Sequence, residues 1–388
     1  MSSVYITRLA SFLPNEPVSN DTIESVLGQL GERPSRARRA TLRSNGINQR
    51  HYAIDPATGK FTHNNTEMTA EAVRALGDEE FAIEDLDCLV CGTTLADQLM
   101  PNHAVMVHGE LGIPPREVVA TSGVCVSGMT ALKYAWMGVA SGEFKKAVAT
   151  GSEAASGIMH RNQFEGEIDI KVEALEARPE LAFEKDFLRW MLSDGAGAVL
   201  LEPQPAKQGL SLRVNWVFER SYANEADACM YSGGEKLADG RLVGWKYLEH
   251  DSWIKDSVFA VKQDVKLLNS KVIEYTLERP MLELKELKGI SPDDIDWFVP
   301  HYSSEYFRPR VFEGLQKIGF EIPYERWFTN LAEKGNTGAA SVYIMLEELF
   351  ESERLKEGQK ILCYVPESGR FSTAFMLLTV VSANDSGQ

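Results

Sequence analysis

Cys125 is the residue best placed for chemistry. It lies in Val118-Val119-Ala120-Thr121-Ser122-Gly123-Val124-Cys125-Val126-Ser127-Gly128. An apolar, β-branched run leads in and glycines surround the thiol. Behind it, Ala131, Leu132, Ala135, Trp136 and Val139 recur at helical spacing. The pattern predicts strand, tight turn and buried helix, with the cysteine at the first helical turn. Backbone N–H groups and the positive end of the helix dipole there favour a thiolate nucleophile. The other reading is a small buried core cysteine. His301 ends the apolar run Val299-Pro300 and is either an acid–base group or a satisfied polar residue. Asn336, between Gly335 and Thr337-Gly338, either shapes a turn or, with His301, holds a developing enolate oxygen. Glu153, after Ala149-Thr150-Gly151-Ser152, is a general base if buried near Cys125 and otherwise a surface or interface carboxylate. Cys88-x-x-Cys91 has metal or redox spacing. It sits inside an apolar run with no second pair, which favours core packing and no metal.

The elements that must carry these residues alternate between strand and helix. Strands are expected over 4–13, 86–93, 147–150 and 297–300, and 194–201 reads as a glycine turn followed by a strand; helices are expected over 67–76 and 103–111 and around Ile23 to Leu30. A helical stretch over 258–287 is expected to break at Pro280. Residues 156–188 and 219–255 are polar and irregular; the first reads as an inserted cap that gates substrate. A weak repeat is present. Asp85-Leu86-Asp87-Cys88-Leu89-Val90-Cys91 matches Asp294-Ile295-Asp296-Trp297-Phe298-Val299-Pro300, and Gly128-Met129-Thr130-Ala131 matches Gly338-Ala339-Ala340-Ser341 at nearly the same offset. This predicts a duplicated α/β half, with functional turns where strands end.

The 388 residues, 44% hydrophobic and 25% charged, suit an ordinary globular protein with one large core or two smaller ones. No apolar run reaches membrane-span length, and the first residues lack signal-peptide character. Five irregularly spaced cysteines point to a reducing cytoplasm. A net charge of −16 argues against a nucleic-acid binder. Against that balance, Arg33, Arg36, Arg38, Arg39, Arg43 and Arg50 form a basic stretch. It is either a dock for an anionic partner or a solvated helix face.

Over nearly its whole length the chain resembles the β-ketoacyl-ACP synthase III family of the thiolase superfamily. The resemblance is carried by Ser122-Gly123-Val124-Cys125-Val126-Ser127-Gly128, Ser193-Asp194-Gly195-Ala196-Gly197-Ala198, Asp296-Trp297-Phe298-Val299-Pro300-His301, Gly335-Asn336-Thr337-Gly338 and Leu42-Arg43-Ser44-Asn45-Gly46-Ile47. It implies a five-layer αβαβα thiolase-like fold of two pseudo-repeated halves (1–205 and 206–388), a homodimer, no cofactor, and a Cys125–His301–Asn336 triad. Cys125 would accept an acyl group from a thioester on acyl carrier protein or CoA. His301 and Asn336 would stabilise the enolate of a second substrate, and the Cys125 N–H would complete an oxyanion hole. Arg39 stands where the family has an aromatic for the CoA adenine, which favours a carrier protein. The family's glycine-rich loop is replaced by Glu367-Ser368-Gly369-Arg370-Phe371, and Met100 matches the residue that floors the partner's acyl tunnel. Substrate contacts are accordingly expected at Met100, Arg43, Arg39 and Phe371. Pro34-Ser35-Arg36-Ala37-Arg38-Arg39 through Asp55 most resembles the dialkylresorcinol-forming (DarB-type) ketosynthase/cyclase branch. That branch joins two β-ketoacyl thioesters and closes a cyclohexanedione ring, with Glu153 a candidate base. The alternatives are chain initiation with malonyl-ACP, acyl transfer to an alcohol or amine, and a non-catalytic partner subunit.

Overall fold

The computed structural model describes residues 2–29, 38–161, 188–256, 258–383 and 385. Among them nine strands form one mixed sheet: β1 (Tyr5–Phe12), β2 (Cys88–Thr93), β3 (Glu117–Ser122), β4 (Ala147–Glu153), β5 (Gly195–Glu202), β6 (Leu210–Ser221), β7 (Trp297–Pro300), β8 (Lys360–Pro366) and β9 (Ser372–Ser382). Their order is β7-β8-β9-β6-β1-β5-β4-β2-β3. Eight helices matter here: α1 (Arg38–Asn45), α2 (Asn65–Arg74), α3 (His103–Leu111), α4 (Val126–Ser141), α5 (Val265–Ile273), α6 (Arg279–Lys288), α7 (Arg308–Lys317) and α8 (Ser341–Glu351).

The sheet is one pairing pattern written twice. β1/β5 and β5/β4 are antiparallel, while β4/β2 and β2/β3 are parallel. On the other side β6/β9 and β9/β8 are antiparallel and β8/β7 is parallel. Two residue pairs, Tyr5↔Arg213 and Ile6↔Leu212, join the halves. Cys88–Thr93 and Trp297–Pro300 hold equivalent places, as the repeated text around Cys88 and Trp297 requires.

Two helices fill the middle. α4 packs on β2, β3 and β4 of one half and on β8 and β9 of the other; α8 packs on β1, β5 and β7. Outside them, α2 and α3 cover the first half, and α5 to α7 surround a π-helical turn at Glu274–Glu278 that lies on β9. The result is five layers, α-β-α-β-α, with separate apolar clusters in the middle and on each outer face. Cys88 and Cys91 are buried in this packing, and burial pushes both thiols up to about 12.

Several elements differ from expectation for local reasons. Asn64 caps α2 through a capping box with Glu67, so the helix begins earlier. The helix expected from 258 begins only at Val265, where the Asp264 carboxylate accepts from Leu267 N. Pro280 does not break it: the proline sits in the first turn of α6, where its missing N–H costs little, and the irregularity is the π turn before it. β4 runs on to Glu153. Residues 222–264 form an excursion whose inner strands, Met230–Tyr231 and Lys262–Gln263, pair with each other. The proposed cap at 156–188 lies outside the described residues over 162–187.

The central helices approach closely because two glycines make room. A Cβ on Gly128 would lie 2.4 Å from the Ala339 carbonyl oxygen, and one on Gly151 would lie 2.2 Å from it. Tyr343 Oη also donates to the Gly128 carbonyl at 2.7 Å. Gly128→Ala is therefore expected to destabilise the fold by about 1–3 kcal/mol through overpacking. Thermal unfolding followed by circular dichroism checks this, and the midpoint should fall by several degrees.

Candidate active site

Cys125 stands at the N-cap of α4 with helical backbone (φ −56°, ψ −29°). Its turn is held by Ser127, whose N and Oγ donate to Val124 O at 3.0 and 2.8 Å. The thiol opens on a cavity of about 80 Å³. Asn336, Glu153 and Thr94 line the same cavity, with Leu95, Val124, Ile158, Met191, Met230 and Val261 among its apolar walls.

Asn336 arrives from the turn before α8. Its N–H donates to Met191 O (3.0 Å), its carbonyl accepts from Ser193 N (2.9 Å), and its side-chain Oδ1 accepts from Gly338 N (2.9 Å). With Oδ1 engaged by the backbone, the side chain offers its Nδ2 donors. Gly335 takes φ +72° beside Ser193 and Arg50, a place where a side chain would collide. The Ser193-Asp194 text is the scaffold for this turn: Asp194 is fully buried and accepts from Ala53 N and Ser156 N.

His301 follows β7, is 4% exposed, and donates its backbone N–H to Tyr364 O at 2.8 Å. Burial lowers its imidazole to about 4, so it is neutral at physiological pH. Its near neighbour Ser303 lines the cavity; His301 itself is not on the lining surface.

Glu153 ends β4, 8% exposed. Its Oε1 accepts from Ala339 N (3.1 Å), Thr94 N (3.2 Å) and Thr94 Oγ1. Loss of hydration outweighs these bonds and raises the carboxyl to about 7. Glu367, which sequence reasoning passed over except as a departure from a glycine loop, follows the equivalent strand β8. It is also 8% exposed, accepts from Gly369 N (2.8 Å) and Ser372 N (3.1 Å), and is likewise raised by burial. The signal was available: Glu153 and Glu367 stand at matching ends of the two halves.

The thiolate expected from the helix dipole is corrected by this setting. Burial first, then the negative charge of Glu153 and of Glu367, push the Cys125 thiol well above its ordinary value. A helix end contributes roughly half a charge, screened within one turn, and does not offset an apolar cavity flanked by two carboxyls.

The expected substrate contacts scatter. Phe371 is fully buried in the core at φ +59° and packs on Tyr275, centroids 5.7 Å apart, so it does not face the cavity; its loop neighbour Ser368 does. Met100 is 82% exposed, outside the cavity of its own chain. Arg39 and Arg43 lie exposed on α1. The basic stretch is not one patch. Arg50 is wholly buried, donating to Trp190 O and Asn20 Oδ1, Arg38 pairs with Glu24 at 2.8 Å, and Arg33 and Arg36 lie outside the described residues.

Comparison with known proteins agrees with the architecture. The thiolase N-terminal domain matches residues 53–183, and the C-terminal domain of 3-oxoacyl-ACP synthase III matches residues 286–377. The β-ketoacyl-[acyl-carrier-protein] synthase III of Neisseria gonorrhoeae (strain NCCP11945) is 27% identical over 368 residues, 93% of this chain and 95% of the relative. AbyA1, a tetronic acid condensing enzyme, superposes with a TM-score of 0.74 at 23% identity, covering 97% of this chain and 99% of its own. OleA of Xanthomonas campestris, with bound lauric acid and lauroyl-CoA, gives 0.71 at 20% identity over 97% and 99%. Among the described residues no helix is long and apolar enough to cross a membrane. With its doubled sheet, paired central helices and cysteine-bearing helix start, the chain has the thiolase-like fold, and over nearly its whole length it is similar to acyl-transferring condensing enzymes of the β-ketoacyl-ACP synthase III type.

Proposed function

We propose that this enzyme loads an acyl group onto Cys125 and condenses it with a second, β-ketoacyl thioester, with ring closure following to give a dialkyl cyclohexanedione, the precursor of a resorcinol. The observation that carries the reading is the cavity itself: a helix-start cysteine, an amide donor and a buried carboxyl face one mostly apolar chamber. In loading, Cys125 Sγ bonds to the thioester carbon, the carbon–sulfur bond to the carrier breaks, and the thiol proton goes to the departing sulfur. The raised thiol requires an acceptor for that proton in transit, and the neutral His301 imidazole suits the task. The Cys125 backbone N–H, at the start of α4, serves the oxyanion. In condensation, the Glu153 carboxylate takes the α-proton of the second thioester while Asn336 and His301 hold its enolate oxygen. The carbanion then attacks the acyl carbon and Cys125 leaves, regaining its proton.

The relatives support parts of this. AbyA1 is named for tetronic acid condensation, and OleA carries lauric acid and lauroyl-CoA in an apolar fold of the same kind. The Neisseria relative's name favours a second reading, chain initiation with malonyl-ACP and loss of carbon dioxide. Arg39 and Arg43, exposed on α1 of a chain with net charge −16, suit docking of an acidic acyl carrier protein in a cytoplasmic setting. A homodimer through β3 is supported by its place at the edge of the sheet among the described residues and by Leu99 and Met100, which are 76% and 82% exposed.

Incubation with two β-ketoacyl thioesters and no malonyl donor should give a carbocyclic product by mass spectrometry. Product only when malonyl-ACP is present establishes chain initiation instead. Cys125→Ala should abolish both the mass increment of the acyl-enzyme and turnover.

The pH dependence follows from Glu153. A base at about 7 makes condensation rise through neutrality, and Glu153→Gln should remove that limb and lower the rate about 100-fold or more. Because burial raises this carboxyl above its unfolded value, its contribution to stability is full below about 4.5 and is lost as pH rises through about 7. Unfolding midpoints from pH 5 to 8 should fall less steeply in the glutamine variant.

Charge placed on the β3 edge should block pairing there. Ala120→Lys is expected to shift the protein toward monomer in analytical ultracentrifugation.

A further inference from the structure

The cavity has a polar spot that neither the triad nor Glu153 explains. Gln263, on the inner hairpin of the 222–264 excursion, is 4% exposed yet faces the chamber, flanked by the apolar Met230 and Val261. Ser368 meets it from the loop after β8. Among the described residues the Gln263 side chain makes a single hydrogen bond, a long one from Nε2 to Ser368 Oγ at 3.4 Å. Ser368 Oγ otherwise reaches only the Met230 sulfur, at 3.8 Å. A buried carboxamide and a half-buried hydroxyl so weakly engaged, in an apolar chamber, cost stability unless something else uses them.

Their position says what that would be. The Ser368 loop abuts the turn that carries Cys125, since a Cβ on Gly369 would lie 3.0 Å from Val124 Cγ2. The loop is rigid: Glu367 clamps it through Gly369 N and Ser372 N, and Cys229 N and Met230 N both donate to Gly369 O (2.8 and 3.2 Å), fastening the hairpin to it. The polar pair is thereby set beside the first carbons of an acyl group on Cys125, not at the far end of a chain. Nε2 and Oγ are both donors, and the atom near that point of an acyl thioester that accepts two hydrogen bonds is an oxygen on the β-carbon.

We infer that Gln263 and Ser368 form a recognition site for the β-keto oxygen of the acyl chain loaded on Cys125, making them specificity-determining residues. This rests on the condensing reading for the reaction, but its test reads loading alone. Acylation of Cys125 is followed by intact-protein mass with β-ketoacyl and saturated acyl thioesters of equal length on the same carrier. The native enzyme should load the β-keto chain faster, and Gln263→Met and Ser368→Ala should each lower the ratio of the two rates about tenfold, the worth of one hydrogen bond. A native ratio near one, an unchanged ratio in both variants, or parallel slowing of both thioesters overturns the assignment. Failure of the condensation reading looks different: the loading ratio would respond as expected while no carbon–carbon product formed.

Discussion

The close passage of α4 across the turn before α8 is the contact on which the site depends. Gly128 and Gly151 admit the Ala339 carbonyl to distances no side chain would allow, and Ala339 N in turn donates to Glu153. One crossing point thus sets three things at once: the cysteine three residues before Gly128, the asparagine just before Gly338, and the carboxyl that ends β4. Because each is fixed by backbone contacts, their relative placement is stiff.

Electrostatics in the chamber are governed by burial more than by the helix dipole. The same apolar walls that would accept an acyl chain raise the thiol, raise both carboxyls and keep His301 neutral. A site in this state holds few full charges at rest. Such an arrangement avoids the cost of burying an uncompensated ion.

The doubled architecture extends to the chemistry. Glu153 and Glu367 stand at corresponding strand ends, but only Glu153 lies on the cavity lining, while Glu367 is spent holding a loop. Duplication supplied two similar positions, and the neighbouring chain gave them different work: Thr94 and Ala339 present one to the chamber, and the 222–264 excursion, docked on the other's loop, brings Gln263 and Ser368 to it.

Local sequence determined a good deal of this protein. The strand–turn–helix around Cys125, the helix at His103–Leu111, the strand before His301 and the duplication of Cys88 and Trp297 were all legible, because periodicity, β-branching and glycine act over a few residues. Tertiary structure alone decided the rest. The protonation of Cys125 depends on walls and carboxyls far away in sequence, so the dipole argument gave the wrong sign. Arg50 and Phe371 looked like surface or substrate contacts and are buried, because burial follows from what packs against a residue and not from its type. Gln263 carried no motif and Ser368 only the departure from a glycine-rich loop; only the folding of the excursion onto the loop after β8 brings these two polar residues to the cavity that Cys125 lines.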